Sequence, residues 1–507
     1  MKRRYLFGFD AGTSESKGTL IDFEGNVIAS ASRAHQVIHP QPDWAEADPV
    51  NDWLADLRYV FHKVCEDSCI QADEIACIGI STVMAGITLV DEKCDPLSNA
   101  ILYGIDHRCV PQAQELNDAI GEEEWNRSFG TGCTIEHFGP KILWLKENMP
   151  EAFSKAAHIT MASGFLTARL TGNYYVDKYS AGCALPMFNP EKRDWDEKFC
   201  KYVCSEELLP KVAESTYSVI GEVTENAARE TGIAQGTPVI CGTTDAGAEA
   251  VSVGVIDPGD TMLMYGSTSF YIHVAEKRVK KTSLWGVDYT IDDRFAYTGG
   301  MATTGALTKW LRDEVARDLV SEEKAGGKNA YTALFSEAED ITAGSGGLIV
   351  LPYFQGERMP IQDPEAKGMI FGLELKHTRG HIARACLEGI GYGIDQNLQL
   401  IRDSGLQVNE ATAVGGGGTK NPLWLQVTSD ICGIKQKVPE VTIGASYGDA
   451  LMAGLGIGAI RCPEDIKDII KIQKEIIPDD GNKKVYEPMK KIYRELYHRN
   501  KDLMHLL

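Results

Sequence analysis

Hydrophobic and polar positions at the start of the chain follow the rhythm of short strands. Residues 5–9 (YLFGF) are an apolar run that ends in a Gly-Thr-Ser turn. Residues 19–23 form a second run, and Glu24-Gly25-Asn26 makes another turn before residues 27–29. That pattern predicts a β-meander. The period then changes. Trp53, Leu54, Leu57, Val60, Phe61 and Val64 recur at helical spacing, behind an Asp48-Pro49 pair suited to a helix N-terminus. Residues 75–80 read as a strand again, so helices and strands alternate in an α/β manner. Past the middle the pattern restarts. Residues 238–241 are strand-like, and Gly242-Thr243-Thr244-Asp245 leads into a small-residue helix over 246–253. Two further strands, 261–265 and 270–274, flank the turn Gly266-Ser267-Thr268-Ser269. The chain thus predicts two hairpins of similar chemistry, one near the start of each half; their sequence identity is slight.

Length and charge narrow the field. At 507 residues the chain exceeds one ordinary core. The expected domains are 1–254 and 255–507. A formal net charge of -21 repels phosphodiester backbones and argues against nucleic acid as a partner. It also requires any nucleotide site to supply positive character locally, from backbone N–H groups, a lysine or a bound cation. The apolar run after MKRR is broken by Asp10, too early for a secretory leader, and no apolar stretch is long enough to span a membrane. The thirteen cysteines contain no CxxC pair and no zinc-like cluster. The expectation is a cytoplasmic protein with reduced thiols.

Candidate chemistry sits in three glycine-rich elements and two carboxylates. Gly12, Thr13 and Ser14 can turn N–H groups and hydroxyls toward an anion, Lys17 can reach a terminal phosphate, and Asp10 can hold Mg²⁺ through water. A plain β-turn of small polar residues accounts for the same stretch equally well. Ser267 and Thr268 in the second turn carry the same two readings. Two such turns, one per half, fit a phosphate clamp. Four glycines, Gly415 to Gly418, follow an apolar strand and precede the helix-like PLWLQ, so they permit close backbone approach to a flat ligand. Asp245, at a strand–helix junction, suits either an N-cap or a base that accepts a hydroxyl proton. Asp106 is either a polar substrate ligand or a solvated loop carboxylate.

These motifs together resemble the FGGY carbohydrate kinase family over nearly the whole chain. GFDAGTSESK (8–17) is similar to its first phosphate motif, WAEADP (44–49) to its WxExDP segment, and KILWLKEN (141–148) to one signature. GMIFGL (368–373) with the following helix is similar to another, and residues 417–421 before Pro-Leu-Trp to the adenosine segment. The resemblance implies an α/β protein of two actin-like ATPase (ribonuclease H-like) domains, each a mixed β-sheet with flanking helices, around a central cleft. It implies ATP and Mg²⁺ and a small sugar substrate, which agrees with the charge and hydropathy expectation of no nucleic acid and no membrane, and leaves a homodimer open. It places Asp245 as the catalytic base and Asp10 on the metal side. It puts Thr13, Ser14, Lys17, Ser267, Thr268, Gly305, Lys309, Gly417 and Asn421 on the nucleotide, and Met84, Ala85 and Asp106 with Asp245 on the substrate. The loop TVMAG (82–86) lacks the Arg-Glu pair of glycerol kinases. It keeps the Met and Gly of the Gln-Met-His-Gly loop of xylulokinases, but Val83 and Ala85 replace the Gln and His. A ketopentose such as D-xylulose is the leading expected substrate. Ribulose, ribitol or erythritol kinases, and a non-catalytic binding protein on the same fold, are the alternatives.

Overall fold

The computed structural model describes residues 3–84, 86–279 and 284–507. The chain packs as two compact units. One gathers Met1–Asp257, Glu276–Ala296 and Ile443–Ile470; the other gathers Pro258–Ala275, Tyr297–Thr442 and Lys471–Leu507. The chain therefore returns twice to the first unit, where a single cut at 254/255 would keep the halves apart.

The first unit is built on β1 (Tyr5–Ala11), β2 (Glu15–Asp22), β3 (Val27–Ala34), β4 (Ile75–Thr82), β5 (Val219–Glu222), β6 (Pro238–Ile240) and β7 (Thr243–Thr244). The sheet runs β5-β6-β4-β1-β2-β3, with β7 paired beside β6 on β4. β1 pairs antiparallel with β2 and parallel with β4, so the sheet is mixed. The strands run longer than the apolar segments because Ser16 and Lys17 complete the hairpin ladder opposite Ala11 and Asp10. Helix α1 (Ala55–Ser68) lays Leu57, Val60, Phe61 and Val64 on the sheet. Phe61 meets Phe7 edge-on at 5.2 Å, an arrangement worth about 0.5–1.5 kcal/mol beyond burial. Ahead of α1 comes a π-helical turn, Pro49–Leu54, whose first N–H groups, those of Val50 and Asn51, donate to the Asp48 carboxylate as the Asp-Pro pair predicts. Helix α2 (Asp245–Ser252) begins directly after β7.

The returning segment explains the uneven division. Its helix, Ala445–Gly456, carries Gly448, Ala450, Ala453 and Gly454 and lies against β1 and β4. The approach is close enough that a Cβ on Gly8 would sit 1.9 Å from the Ser446 carbonyl oxygen. A Cβ on Gly79 would sit 2.1 Å from that of Asp449. Glycine on both strands is thus a packing requirement.

The second unit repeats the opening topology. β8 (Asp260–Tyr265) pairs antiparallel with β9 (Ser269–Ala275) and parallel with β10 (Glu410–Val414). β11 (Lys435–Pro439) and β12 (Ile472–Ile476) extend the sheet. Helices α3 (Arg379–Asp403), α4 (Pro422–Cys432) and α5 (Asp480–Met504) accompany it. A hairpin whose first strand also pairs in parallel with a later strand is the feature that both units share. Among the described residues, no helix is long and apolar enough to cross a membrane.

Candidate active site

Strand register assembles the first unit's polar centre. Asp10 is the cross-strand partner of Lys17 on β2 and of Ser81 on β4, and Thr243 on β7 is the partner of Ser81 from the other side. Cross-strand partners project to one face, so one row carries Asp10, Ser81 and Lys17, with Asp245 two residues beyond Thr243. The Ser81 hydroxyl lies 3.2 Å from Asp10 Oδ1 and 2.7 Å from Asp449 Oδ2.

Asp245 does not cap its helix. Thr244 does so, its Oγ1 accepting from Gly247 N–H at 3.2 Å, and Asp245 is the first helical residue. Its carboxylate accepts from Ala246 N–H at 2.7 Å and from the Met84 amide. Burial nevertheless dominates and pushes the carboxyl up to about 6. Glu249, one turn further along α2, is pushed up to about 7 by burial and then by the neighbouring Asp245 charge. Asp10 is raised well above the usual carboxylate range by burial, then by Asp245 and Glu249, against which Ser81 and Lys17 pull only partly. Asp449 is raised likewise, by burial and then by Asp10. Four carboxyls and one nearby lysine thus form a centre with too little positive charge to ionise fully. Such perturbed groups mark functional sites more often than structural ones.

The first predicted turn is held from behind. Gly12 N–H donates to the Glu15 carbonyl at 3.1 Å, which closes the Gly12-Thr13-Ser14 turn. His35 stands beneath it, with Nε2 3.1 Å from the Gly12 carbonyl oxygen and Nδ1 2.8 Å from Asp56. Burial pulls His35 down, but Asp56 outweighs it, and the net direction is upward. Ser14 is exposed, and Lys17 reaches Glu15 at 3.3 Å in a half-exposed pair.

The substrate-side expectations divide. Met84 is partly exposed beside Asp245, and its sulfur takes the Cys183 thiol at 3.5 Å. Ala85 lies outside the described residues. Asp106, expected at the substrate, is instead fully buried framework. Its oxygens accept from the Ala45 and Arg108 amides and from the Arg108 guanidinium at 2.6–3.0 Å. That guanidinium sits over the rings of Trp44 and Trp144, at 4.0 and 4.9 Å. The carboxylate is saturated because it neutralises a buried arginine.

In the second unit, the Gly266–Ser269 turn is pinned to the helix Gly305–Trp310. Gly305 and Ala306 N–H groups donate to the Gly266 and Ser267 carbonyls at 2.9 and 3.0 Å. A Cβ on Gly305 would lie 2.5 Å from the Gly266 oxygen. Ser267 remains exposed and Thr268 partly so. Lys309 is exposed and pairs with Asp313 at 2.7 Å. Within the glycine run, Gly415 and Gly418 are packed on Tyr265, whereas Cβ atoms on Gly416 and Gly417 would meet nothing within 4 Å. Asn421 caps α4, its Oδ1 accepting from Trp424 N–H at 3.2 Å. Its Nδ2 is shut from solvent and has no hydrogen-bond partner among the described residues, beside glycines whose Cβ positions are open.

Sequence reasoning missed Ser81, Glu249, Asp449 and His35. Glu249 had a signal, being four residues after Asp245 on one helix face. Asp449 had none near the others in sequence.

The chain is similar to known proteins along nearly its whole length. Residues 5–252 match the N-terminal domain, and residues 261–457 the C-terminal domain, of the FGGY family of carbohydrate kinases. A Bacillus subtilis xylulose kinase is 27% identical over 505 residues, covering 99% of this chain and 98% of that protein. A glycerol kinase from Halothermothrix orenii is 28% identical, covering 96% of each. A crystal structure of a Rhodospirillum rubrum xylulose kinase superposes with a TM-score of 0.89 at 26% identity, over 99% of this chain and 100% of that one. The two matched domains span most of the sequence, and the chain belongs to the FGGY family of carbohydrate kinases.

Proposed function

We propose that D-xylulose or a related ketopentose is the acceptor in the ATP-dependent sugar phosphorylation this kinase performs, and that Asp245 is the base that removes the proton from the attacking hydroxyl. The observation that carries the second part is Asp245 itself. It is half-sheltered at the start of α2, is free of capping duty, and is tuned to about 6. At neutral pH it is ionised yet basic enough to take a proton as the sugar oxygen bonds to the γ-phosphorus and the bond to ADP breaks. Positioned bases of this kind contribute about 10²–10⁴-fold.

The ketopentose rests on the curated xylulose kinases that align along nearly the full chain, and on Met84 and Gly86 in the substrate loop. A glycerol kinase of similar identity keeps polyols as the second reading. Exposed Ser14 and Ser267, with Thr13 and Thr268, are the polar ends of two tight turns and suit phosphate oxygens. Asn421 and the open Gly416-Gly417 backbone suit the nucleoside. Gly305 supports the Gly266–Ser269 turn, and Lys309 sits one turn further along the same helix.

Magnesium fits the first unit's donor set. The carboxylates are hard oxygen ligands that repel one another, and a divalent cation relieves that repulsion. Among the described residues no three acidic, histidine or cysteine side chains form a cage. That suits an ion held through one or two carboxylates, water and phosphate oxygens. Asp10 is the residue that would hold it, and the ion would offset charge on the transferring phosphoryl group. The cytoplasm, where thiols stay reduced, suits thirteen free cysteines.

ADP release across ketopentoses, pentitols, tetritols, glycerol and ketohexoses tests the reading. D-Xylulose or another ketopentose is expected to give the highest kcat/KM. A preference for glycerol overturns the substrate assignment, and no sugar-dependent ADP at all favours a non-catalytic binder.

A further inference from the structure

We propose that Asp449 is a positioning residue for phosphoryl transfer: it grips Ser81, and Ser81 in turn fixes the carboxylate of Asp10. The inference rests on the kinase reading and on geometry within the first unit.

Asp449 occupies an improbable place. It lies on the helix Ala445–Gly456 among Ala445, Gly448, Ala450 and Ala453, and its accessible surface is nil. One oxygen, Oδ1, has no hydrogen-bond partner among the described residues. A buried acid with a lone oxygen unsatisfied costs free energy that an alanine there would not. Among the described residues no cation compensates it, and its strongest charged neighbour is another carboxylate, Asp10. Its carboxyl meets Ser81 twice, at the hydroxyl at 2.7 Å and at the backbone amide.

That contact has a consequence for Asp10. A serine hydroxyl carries one proton, yet Ser81 Oγ lies within hydrogen-bond distance of two acids, at 2.7 and 3.2 Å. The shorter contact and the amide bond tie Ser81 to Asp449, which holds the hydroxyl oxygen at one place beside Asp10 Oδ1. The position of the Asp10 carboxylate is thereby set from behind by a residue that does not itself reach the site. Asp245, Glu249 and Lys17 are the remaining charged groups acting on Asp10.

Four variants at one pH test this: Ser81→Ala, Asp449→Leu, Asp449→Asn and the Ser81→Ala/Asp449→Leu double. Each is assayed by steady-state kinetics and by calorimetric titration with ADP, with and without Mg²⁺. Ser81→Ala and Asp449→Leu are expected to lower kcat about tenfold with KM for ATP and sugar within about twofold, since misplacing a group that acts in the transition state spares ground-state binding. The Mg²⁺-dependent gain in ADP affinity should shrink in both, while metal-free ADP affinity holds. Asp449→Asn, which can still hydrogen-bond to Ser81, should stay within about threefold of wild type, and the double variant should be no worse than Ser81→Ala because both break one chain. Full kcat and normal Mg²⁺ dependence in Ser81→Ala would overturn the proposal, as would additive losses in the double variant. So would an Asp449→Asn protein as impaired as Asp449→Leu. If Asp449→Leu fails to fold, Ser81→Ala and Asp449→Asn decide. If wild type phosphorylates no sugar, the kinase reading fails, and the ADP titrations still judge the chain.

Discussion

Asp245→Asn should stabilise the first unit at neutral pH, and the gain should vanish in acid. Burial lifts the Asp245 carboxyl from 3.8 to about 6. A difference of about 2 pKa units, at 1.36 kcal/mol per unit, sets a ceiling of about 3 kcal/mol on the cost of keeping it ionised. Asp245 is not fully shut from solvent, so about 1–2 kcal/mol is the expected size. The sign follows from linkage. Below about pH 4 the group is protonated whether the chain is folded or unfolded, and it costs nothing. Between about pH 4 and 6 the unfolded chain releases the proton while the folded one holds it, so stability falls as pH rises. Above about pH 6 the penalty is complete, and asparagine avoids it. Urea unfolding read through hydrogen exchange of β1 and β4 amides, at pH 4 and pH 7.5, measures the difference. A variant no more stable than wild type at pH 7.5, or equally stabilised at both values, would refute the reasoning. A base kept in a costly environment is a familiar trade of stability for activity.

Further outcomes are expected elsewhere. Plotted against pH, log kcat/KM should climb with unit slope to about pH 6 and then level, because Asp245 must be ionised to accept a proton; a profile flat from pH 5 to 7 counts against the assignment. His35→Ala should raise the KM for ATP about three- to tenfold by freeing the Gly12 carbonyl, since a lost hydrogen bond is worth about 0.5–1.5 kcal/mol net; an unchanged KM would show that the turn holds itself. Asn421→Asp keeps an acceptor for Trp424 N–H but removes the Nδ2 donor, so it should retain thermal stability while ADP affinity falls about tenfold. Equal losses in stability and affinity would make Asn421 a cap only. Gly79→Ala should cost about 3 kcal/mol or more, since its Cβ would lie 2.1 Å from the Asp449 carbonyl oxygen; thermal melts check this, and a near-normal melting temperature contradicts the close helix–strand packing.

What the sequence makes legible is local. Strand alternation, Gly-Thr-Ser turns and the Asp48 cap are written in neighbouring residues, and each unit's opening hairpin forms where the pattern predicts. Asp245 is legible because a strand, a threonine cap and a small-residue helix stand beside it. The returning helix is not. Its glycine and alanine positions read as an ordinary small-residue helix, and only strands β1 and β4, hundreds of residues earlier, reveal why Gly8 and Gly79 face it. Asp449 is hidden for the same reason, since its partner Ser81 arrives through the sheet. Asp106 misleads in the opposite way. Its motif is polar and loop-like, but Arg108 two residues later consumes the carboxylate.

The central claim is that this chain phosphorylates a sugar with Asp245 as the base. Sugar-dependent ADP release by wild type and Asp245→Asn, with ADP binding measured on both, tests it most directly. The variant should lose about 10²–10⁴-fold in kcat while ADP affinity stays within about twofold. Turnover by Asp245→Asn within a few-fold of wild type would contradict it.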